Sequence, residues 1–364
     1  MEKKSKPKYG ALSNVAFTIR NIVRINKVLL LSMIVLVFCM VAQPVLAVFM
    51  PKYIIQFFEQ KRGITDYLLL VAAFGAISLV LSQLRSFADG YFPRMKSMYR
   101  SMRLGAEMCL ASMQVDYKYL SSQKGQLENQ KAQRAIGGPG SGVEDIVVRI
   151  VECSANLLGA VVYIFILSSL NPLVILGLAV CGTVSFLAGN LVNRYRMKHQ
   201  DDFNKVGQQV YYLTSTTTDV MYAKDIRMYG MYDWLSTLLR NGFDQQLGWD
   251  KKVELRMFFS EVVDGLIAFL RDGLAYLYLI SLVLAGTIPV SAFILYISSI
   301  AGLSMWVSGF AKNAILLNTD SIQVSDFRVF LDQSTDQPNA GKPKAEFSLP
   351  MQIEFRHVDF AYGE

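Results

Sequence analysis

The sequence predicts an all-α membrane protein of six transmembrane helices with long cytoplasmic helical extensions, and three observations carry the prediction. Of 364 residues, 52% are hydrophobic and only 18% charged, against roughly 25% charged in an ordinary soluble domain. The charge is unevenly placed: several windows of about 20 residues, the length a helix needs to cross a bilayer, are almost free of it. Two connections between these windows are long and rich in Lys and Arg, whereas the others are short.

The first span is Val28–Met50, uncharged throughout and interrupted by Gln43-Pro44. Its length corresponds to about 34 Å of helix, and Pro44 is expected to kink it. The second runs from Tyr67 to about Leu84, where Arg85 marks the approach to the headgroups. The third covers roughly Val151–Leu170, and Asn171-Pro172 turns the chain into the fourth, Leu173–Val192. The fifth spans about Met257–Ala285. Gly286-Thr287-Ile288-Pro289 then turns into the sixth, Val290–Phe310. The first apolar run is too long for the core of a signal peptide and precedes no small-residue cleavage site, which makes it a retained helix.

Lys and Arg set the orientation. Residues 1–27 carry seven of them, and the connections 93–150 and 194–256 carry nine and ten. The short connections hold only Lys52, Lys61 and Arg62. The positive-inside rule places both termini and both long connections in the cytoplasm of a multi-pass cell-membrane protein. The net charge of +7 is spread over these flanks, not gathered into a patch, and no nucleic-acid motif accompanies it, so nucleic acid is not an expected partner. Cys39, Cys109, Cys153 and Cys181 form no C-x-x-C pair, and with only His199 and His357 beside them no metal site is expected.

The long connections are not loop-like. Met95–Met113 and Met197–Leu213 mix apolar and charged residues at helical spacing without proline. The simplest structure continues spans 2, 3, 4 and 5 as helices past the membrane, with turns near Ser121–Gly125 and Ala223–Tyr229. Two amphipathic helix pairs lying on the membrane surface are the competing reading.

Six spans with two long inner connections at these positions resemble the exporter-type membrane domain of ABC transporters. The segment Tyr119-Leu120 with Gly125-Gln126-Leu127-Glu128-Asn129 is similar to the first coupling region of that family, and Ala223–Tyr229 (AKDIRMY) to the second. The resemblance implies coupling contacts at Gln123, Gly125, Leu127 and Glu128, and at Asp225, Ile226, Arg227 and Tyr229. Gly137-Gly138-Pro139-Gly140-Ser141-Gly142 departs from the family, whose helix is continuous there. It is not a phosphate loop, since no strand precedes it and no Lys-Ser or Lys-Thr follows; a flexible joint at the base of span 3 is expected.

The end of the chain changes character. Gln337–Pro350 is a linker by composition, and Gln352–Tyr362 alternates apolar and polar residues through Phe355 and then continues as a β-type run. It resembles the first strand of the ABC nucleotide-binding domain, whose final aromatic stacks on the adenine of ATP. That position is Tyr362, which would otherwise simply end a strand. The resemblance implies four parts: a cytoplasmic segment 1–27, the membrane domain 28–332, a linker 333–350, and the start of an α/β ATPase domain at 351–364. No G-x-x-x-x-G-K-S/T loop and no ABC signature occur in the 364 residues, so no ATPase activity is expected of this stretch. ATP and Mg2+ are implied for a longer polypeptide. The implied partners are membrane lipid, a second half-transporter, the nucleotide-binding domains of both chains and an exported substrate.

Arg271-Asp272 falls midway along span 5. A charge at a helix centre costs about 2.5–3.5 kcal/mol on insertion scales, so it is expected to face a cavity or a partner. Arg271 is read either as part of a translocation wall or as one half of an interhelical ion pair, with Asp89 or Asp264 as its partner. Gln43 either lines the same path or satisfies a carbonyl freed by Pro44. A different class of function, an ion- or proton-coupled carrier using Arg271 and Asp272, is the alternative to ATP-driven export. A scaffold or receptor without transport is a third reading.

Overall fold

A computed structural model describes residues 8–60, 63–168, 195, 198–199, 206–207, 209–335, 354 and 356–359. The fourth span, the turn Asn171-Pro172, the linker beyond Thr335 and most of the terminal strand, Tyr362 included, lie outside the described residues. Among the described residues there are helices and turns and no strand.

The helices are α1 (Ala11–Ile25), α2 (Lys27–Glu59), α3 (Ile64–Met98), α4 (Gly105–Gln114), α5 (Tyr117–Ser121), α6 (Gln123–Ile136), α7 (Gly142–Leu167), α8 (Val220–Met228), α9 (Tyr232–Leu284) and α10 (Val290–Thr335). A six-residue π-helical turn, Tyr99–Leu104, joins α3 to α4. Among the described residues five rods are long and apolar enough to cross a membrane: α2, α3 with α4, α7, α9 and α10. They correspond to predicted spans 1, 2, 3, 5 and 6.

Each rod outlasts its apolar run. Neither Pro44 nor Pro51 ends α2, which continues past Met50 to Glu59. The second rod runs 51 residues to Gln114 and α9 runs 53. At 1.5 Å per residue each reaches about 75–80 Å, more than twice the hydrocarbon thickness. The sixth continues from Phe310 to Thr335.

Local chemistry sets the ends. Asn26, the single residue between α1 and α2, accepts Leu29 N–H on its side chain at 3.0 Å. At the other end of α2, Glu59 reaches Ser291 at the start of α10, accepting the backbone N–H at 3.2 Å and the hydroxyl at 2.8 Å. An acidic group at a helix N-terminus is favourably placed against the dipole. The turn after α9 closes with Gly286 in the left-handed region at φ 72°. Gly286 N–H bonds to Val283 O and Thr287 N–H to Leu282 O, the Schellman closure that glycine permits.

The closest packing joins α7 to α10 through exchanged small and large residues. Gly159 receives Trp306, Gly309 receives Asn156, Gly302 receives Tyr163 and Gly142 receives Gln323; a methyl on any of the four would overlap its partner. Small residues let membrane helices approach closely where no hydrophobic effect drives them together. Two cores result. The larger, beside α1 and the α6–α7 corner, gathers Ile22, Leu29, Leu104, Ile146, Phe327 and Phe330, all nearly inaccessible. The smaller, toward the α9–α10 turn, is built around Tyr163, Leu167, Leu279 and Ile300.

The glycine-rich segment breaks the helix, ending α6 at Ile136 and starting α7 at Gly142. The segment expected as a joint is tied at both flanks. Arg100, aimed from the π-helical turn, meets Glu144 at 2.6 Å and Ile136 O at 3.1 Å. Lys96 reaches Glu144 at 3.2 Å, and Gly142 N–H donates to Gln323 Oε1 at 2.9 Å.

Candidate functional site

Two kinds of feature stand out: the far turns of the helical extensions, and polar clusters among the apolar rods. The first turn is built at Asp116 and Ser122. Asp116 accepts Lys118 N–H at 3.1 Å, capping α5. Ser122 accepts Gly125 N–H at 3.0 Å, capping α6, and donates to Tyr119 O at 2.6 Å. Short polar side chains at these positions replace the bonds that a helix N-terminus lacks. The chain therefore reverses within a few residues.

Gly125 sits so close to the Tyr119 carbonyl that no side chain fits there. Tyr119 also donates a short hydrogen bond from its hydroxyl to Glu128. Burial first, and then this bond to a carboxylate, push the Tyr119 hydroxyl above its ordinary value. Of the four residues expected at this contact, Gly125 and Glu128 build the turn, whereas Gln123 and Leu127 are exposed.

The second turn is the helix α8, of which no residue is buried. Asp219 caps it by accepting Met221 N–H at 2.9 Å. Gly230, at φ 60°, closes it with bonds from Gly230 N–H to Arg227 O and Met231 N–H to Ile226 O. Asp225, Arg227 and Tyr229 are exposed and Ile226 is half-buried. The tip is apolar as well as charged, with Val220 86%, Met221 71% and Tyr229 71% exposed. Together they form an exposed apolar patch at the end of a capped helix. The turn expected near Ala223–Tyr229 is part of a helix that starts earlier, at Val220, where Asp219 caps it.

The polar clusters differ from expectation. Arg271 finds neither Asp89 nor Asp264. Its guanidinium pairs with the adjacent Asp272 at 2.8 Å and donates a short hydrogen bond to Ser304 on α10. The long side chain folds back along the helix, which sequence spacing alone did not suggest. Asp89 pairs instead with Arg85 at 3.5 Å, one turn away on α3. The Asp264 Oδ1 atom is buried without a hydrogen-bond partner among the described residues.

Arg85 does more than mark a boundary. Its Nη1 donates to Gln43 Oε1 at 2.8 Å, tying α3 to α2 beside Pro44. Gln43 therefore accepts from a cation, where sequence left open a freed carbonyl or an aqueous path. Tyr362 lies outside the described residues, and among those described no group of three or more His, Cys, Asp or Glu is arranged to hold a metal.

The rods differ in how much of them the chain itself covers. In the most apolar stretch of α7, 44% of residues are buried, against 6% in the second rod and 6% in α9. Among the described residues α9 packs on α10, and its N-terminal half also meets Val210, Tyr195 and His199. Compared with models of known protein families and with curated proteins, the chain matches none.

Proposed function

We propose that this chain is the membrane half of an ATP-driven exporter of the ABC exporter type. In this reading six spans form the substrate path, two cytoplasmic turns receive the motion of ATP-binding domains, and the chain works as one half of a dimer. The observation that carries the reading is the pair of capped turns at the far ends of rods that outlast the membrane, Asp116–Gly125 and Asp219–Gly230. A rigid rod transmits displacement at its tip, and a sharply capped turn presents a defined face to push upon. The exposed apolar residues of α8 suit such a contact. The bare surface of α9 suits a helix whose neighbours belong to lipid or to the partner half.

Alternating access requires two states that ligands bias by differential affinity. In the proposed cycle, ATP bound between two nucleotide domains favours the state in which the inner turns approach one another. The test uses the full-length polypeptide with spin labels at Lys124→Cys and Lys224→Cys, the exposed Cys109 replaced by Ser. ATP with vanadate is expected to shorten the distance between labels. An unchanged distance, together with transport that a protonophore abolishes and ATP depletion does not, would instead establish the ion-coupled carrier. The Arg271–Asp272 pair weighs against that carrier, since each charge already holds the other.

A further inference from the structure

Where α9 enters its most apolar stretch, two cations are held on aromatic faces without a balancing charge among the described residues. Tyr195 and His199 follow the fourth predicted span. Trp249, Lys252 and Arg256 lie on α9 at helical spacing, just before the fifth. The rings stand in file across the two segments, with centroids 4.3 Å apart from Tyr195 to His199 and 5.5 Å from His199 to Trp249. His199 Nδ1 lies 3.0 Å from Tyr195 O, which fixes the imidazole in the file. The Arg256 guanidinium sits 3.5 Å over the Tyr195 ring, and the Lys252 ammonium 4.8 Å over Trp249.

Aromatic faces attract and orient cations but do not neutralise them. Among the described residues neither Lys252 nor Arg256 has a carboxylate within ion-pair distance. Arg256 donates from Nη1 to Lys252 O at 3.0 Å, which leaves most of its donors for another acceptor. Both cations are exposed, as are Lys198 and Lys251 beside them. Beside and just beyond Arg256, Leu255, Phe258 and Phe259 are 58–60% exposed. Aromatic rings, fixed cations and a bare apolar strip thus lie together on this stretch of the helix.

We propose that Tyr195, His199, Trp249, Lys252 and Arg256 form a binding site for the headgroup of an anionic phospholipid. The phosphate takes the free N–H edge of Arg256 and the Lys252 ammonium. Its acyl chains lie along Leu255, Phe258 and Phe259. A soluble phosphate ester uses the same cations but not the apolar strip, so the lipid is the ligand that all three features fit. The side is the inner leaflet, a point that rests on the topology proposed above; the site itself does not require ATP-driven transport.

The test places the full-length protein in phosphatidylcholine bilayers containing a minor fraction of brominated phosphatidylglycerol, or the same fraction of brominated phosphatidylcholine. Tryptophan quenching by the anionic lipid is expected to exceed that by the zwitterionic one, and Trp249→Phe removes the excess. With about 1 kcal/mol per cation near an anionic surface, each of Lys252→Gln and Arg256→Gln lowers the preference about fivefold. Arg256→Lys retains charge and keeps most of it, which separates a lost site from a misfolded protein. Equal quenching by the two lipids overturns the site, as does an excess that survives in Lys252→Gln/Arg256→Gln, or one abolished by soluble glycerol phosphate. A protein that shows the anionic excess but no ATP–vanadate distance change would refute the transport reading alone.

Discussion

Arg100 and Glu144 meet at 2.6 Å across the glycine-rich corner, and the same guanidinium holds the last carbonyl of α6, Ile136, at 3.1 Å. The two side chains are 12% and 4% exposed. One residue of the second rod therefore fixes the angle between α6 and α7, and the π-helical turn at Tyr99–Leu104 is what points it there. Such single-turn bulges within α-helices often reorient a side chain in this way.

Removing one partner of a buried ion pair leaves an uncompensated charge, at a cost of about 3–5 kcal/mol. Arg100→Ala is therefore expected to lower the melting temperature of the purified protein sharply, because Lys96 alone remains on Glu144. A melting temperature equal to the parent's would show that the corner does not depend on this pair.

At the crossing of α7 and α10, Gly302→Ala places a methyl into the Tyr163 ring and Gly159→Ala one into Trp306. Overpacking of this kind costs about 1–3 kcal/mol. Both variants should unfold at lower denaturant concentration than Gly75→Ala, whose added methyl meets nothing within 4 Å. Identical midpoints for all three would contradict the packing described.

Gly125→Ala collides with the Tyr119 carbonyl, a backbone atom that cannot swing aside. The turn is expected to open while the long apolar rods stay intact. Hydrogen exchange should accelerate over residues 117–128 and hardly change in α7. Exchange at the parental rate in the turn would refute this.

The Tyr119 hydroxyl has its pKa raised by burial and by donating to Glu128. The sign follows from linkage: the folded turn keeps its proton at a pH where an unfolded tyrosine, with a pKa of about 10, has lost it. The contribution is whole below that value and fades as pH rises above it. Protease resistance of the turn should fall above about pH 10 in the parent. In Tyr119→Phe it should show no such step, and a step of equal size there would assign the loss elsewhere.

Arg271, Asp272 and Ser304 touch, so their substitutions should not add. A double-mutant cycle on Arg271→Gln and Ser304→Ala is expected to show coupling of about 0.5–3 kcal/mol, the range for residues in contact. Additive effects on thermal stability would separate the two.

The outline of the fold was legible in the sequence because its cause is local. A run such as Val290–Phe310, with no charge over about 20 residues, is stable only where water is absent, and there the backbone must satisfy itself as a helix. The turns at Ser122 and Gly286 were legible for the same reason: a capping hydroxyl or a left-handed glycine acts within a few residues of itself. Where a helix ends was less so. The apolar runs end at Met50 and Phe310, yet α2 continues to Glu59, which bonds Ser291, and α10 continues to Thr335, with Val324, Phe327 and Phe330 in the larger core.

The partners of the charges were decided only by tertiary structure. Asp89 and Asp264 suited Arg271 by residue type, yet Asp272 and Ser304 hold it. Arg85 finds Gln43 42 positions away, and Arg100 finds Glu144 44 positions away. The exchange of Gly159 for Trp306 and of Gly302 for Tyr163 is equally invisible along one helix, since each half needs the other's crossing angle to exist. Hydropathy reports whether a residue leaves water, a property of its own neighbourhood in the chain. Which group then meets it is set by how rods far apart in sequence lie against one another.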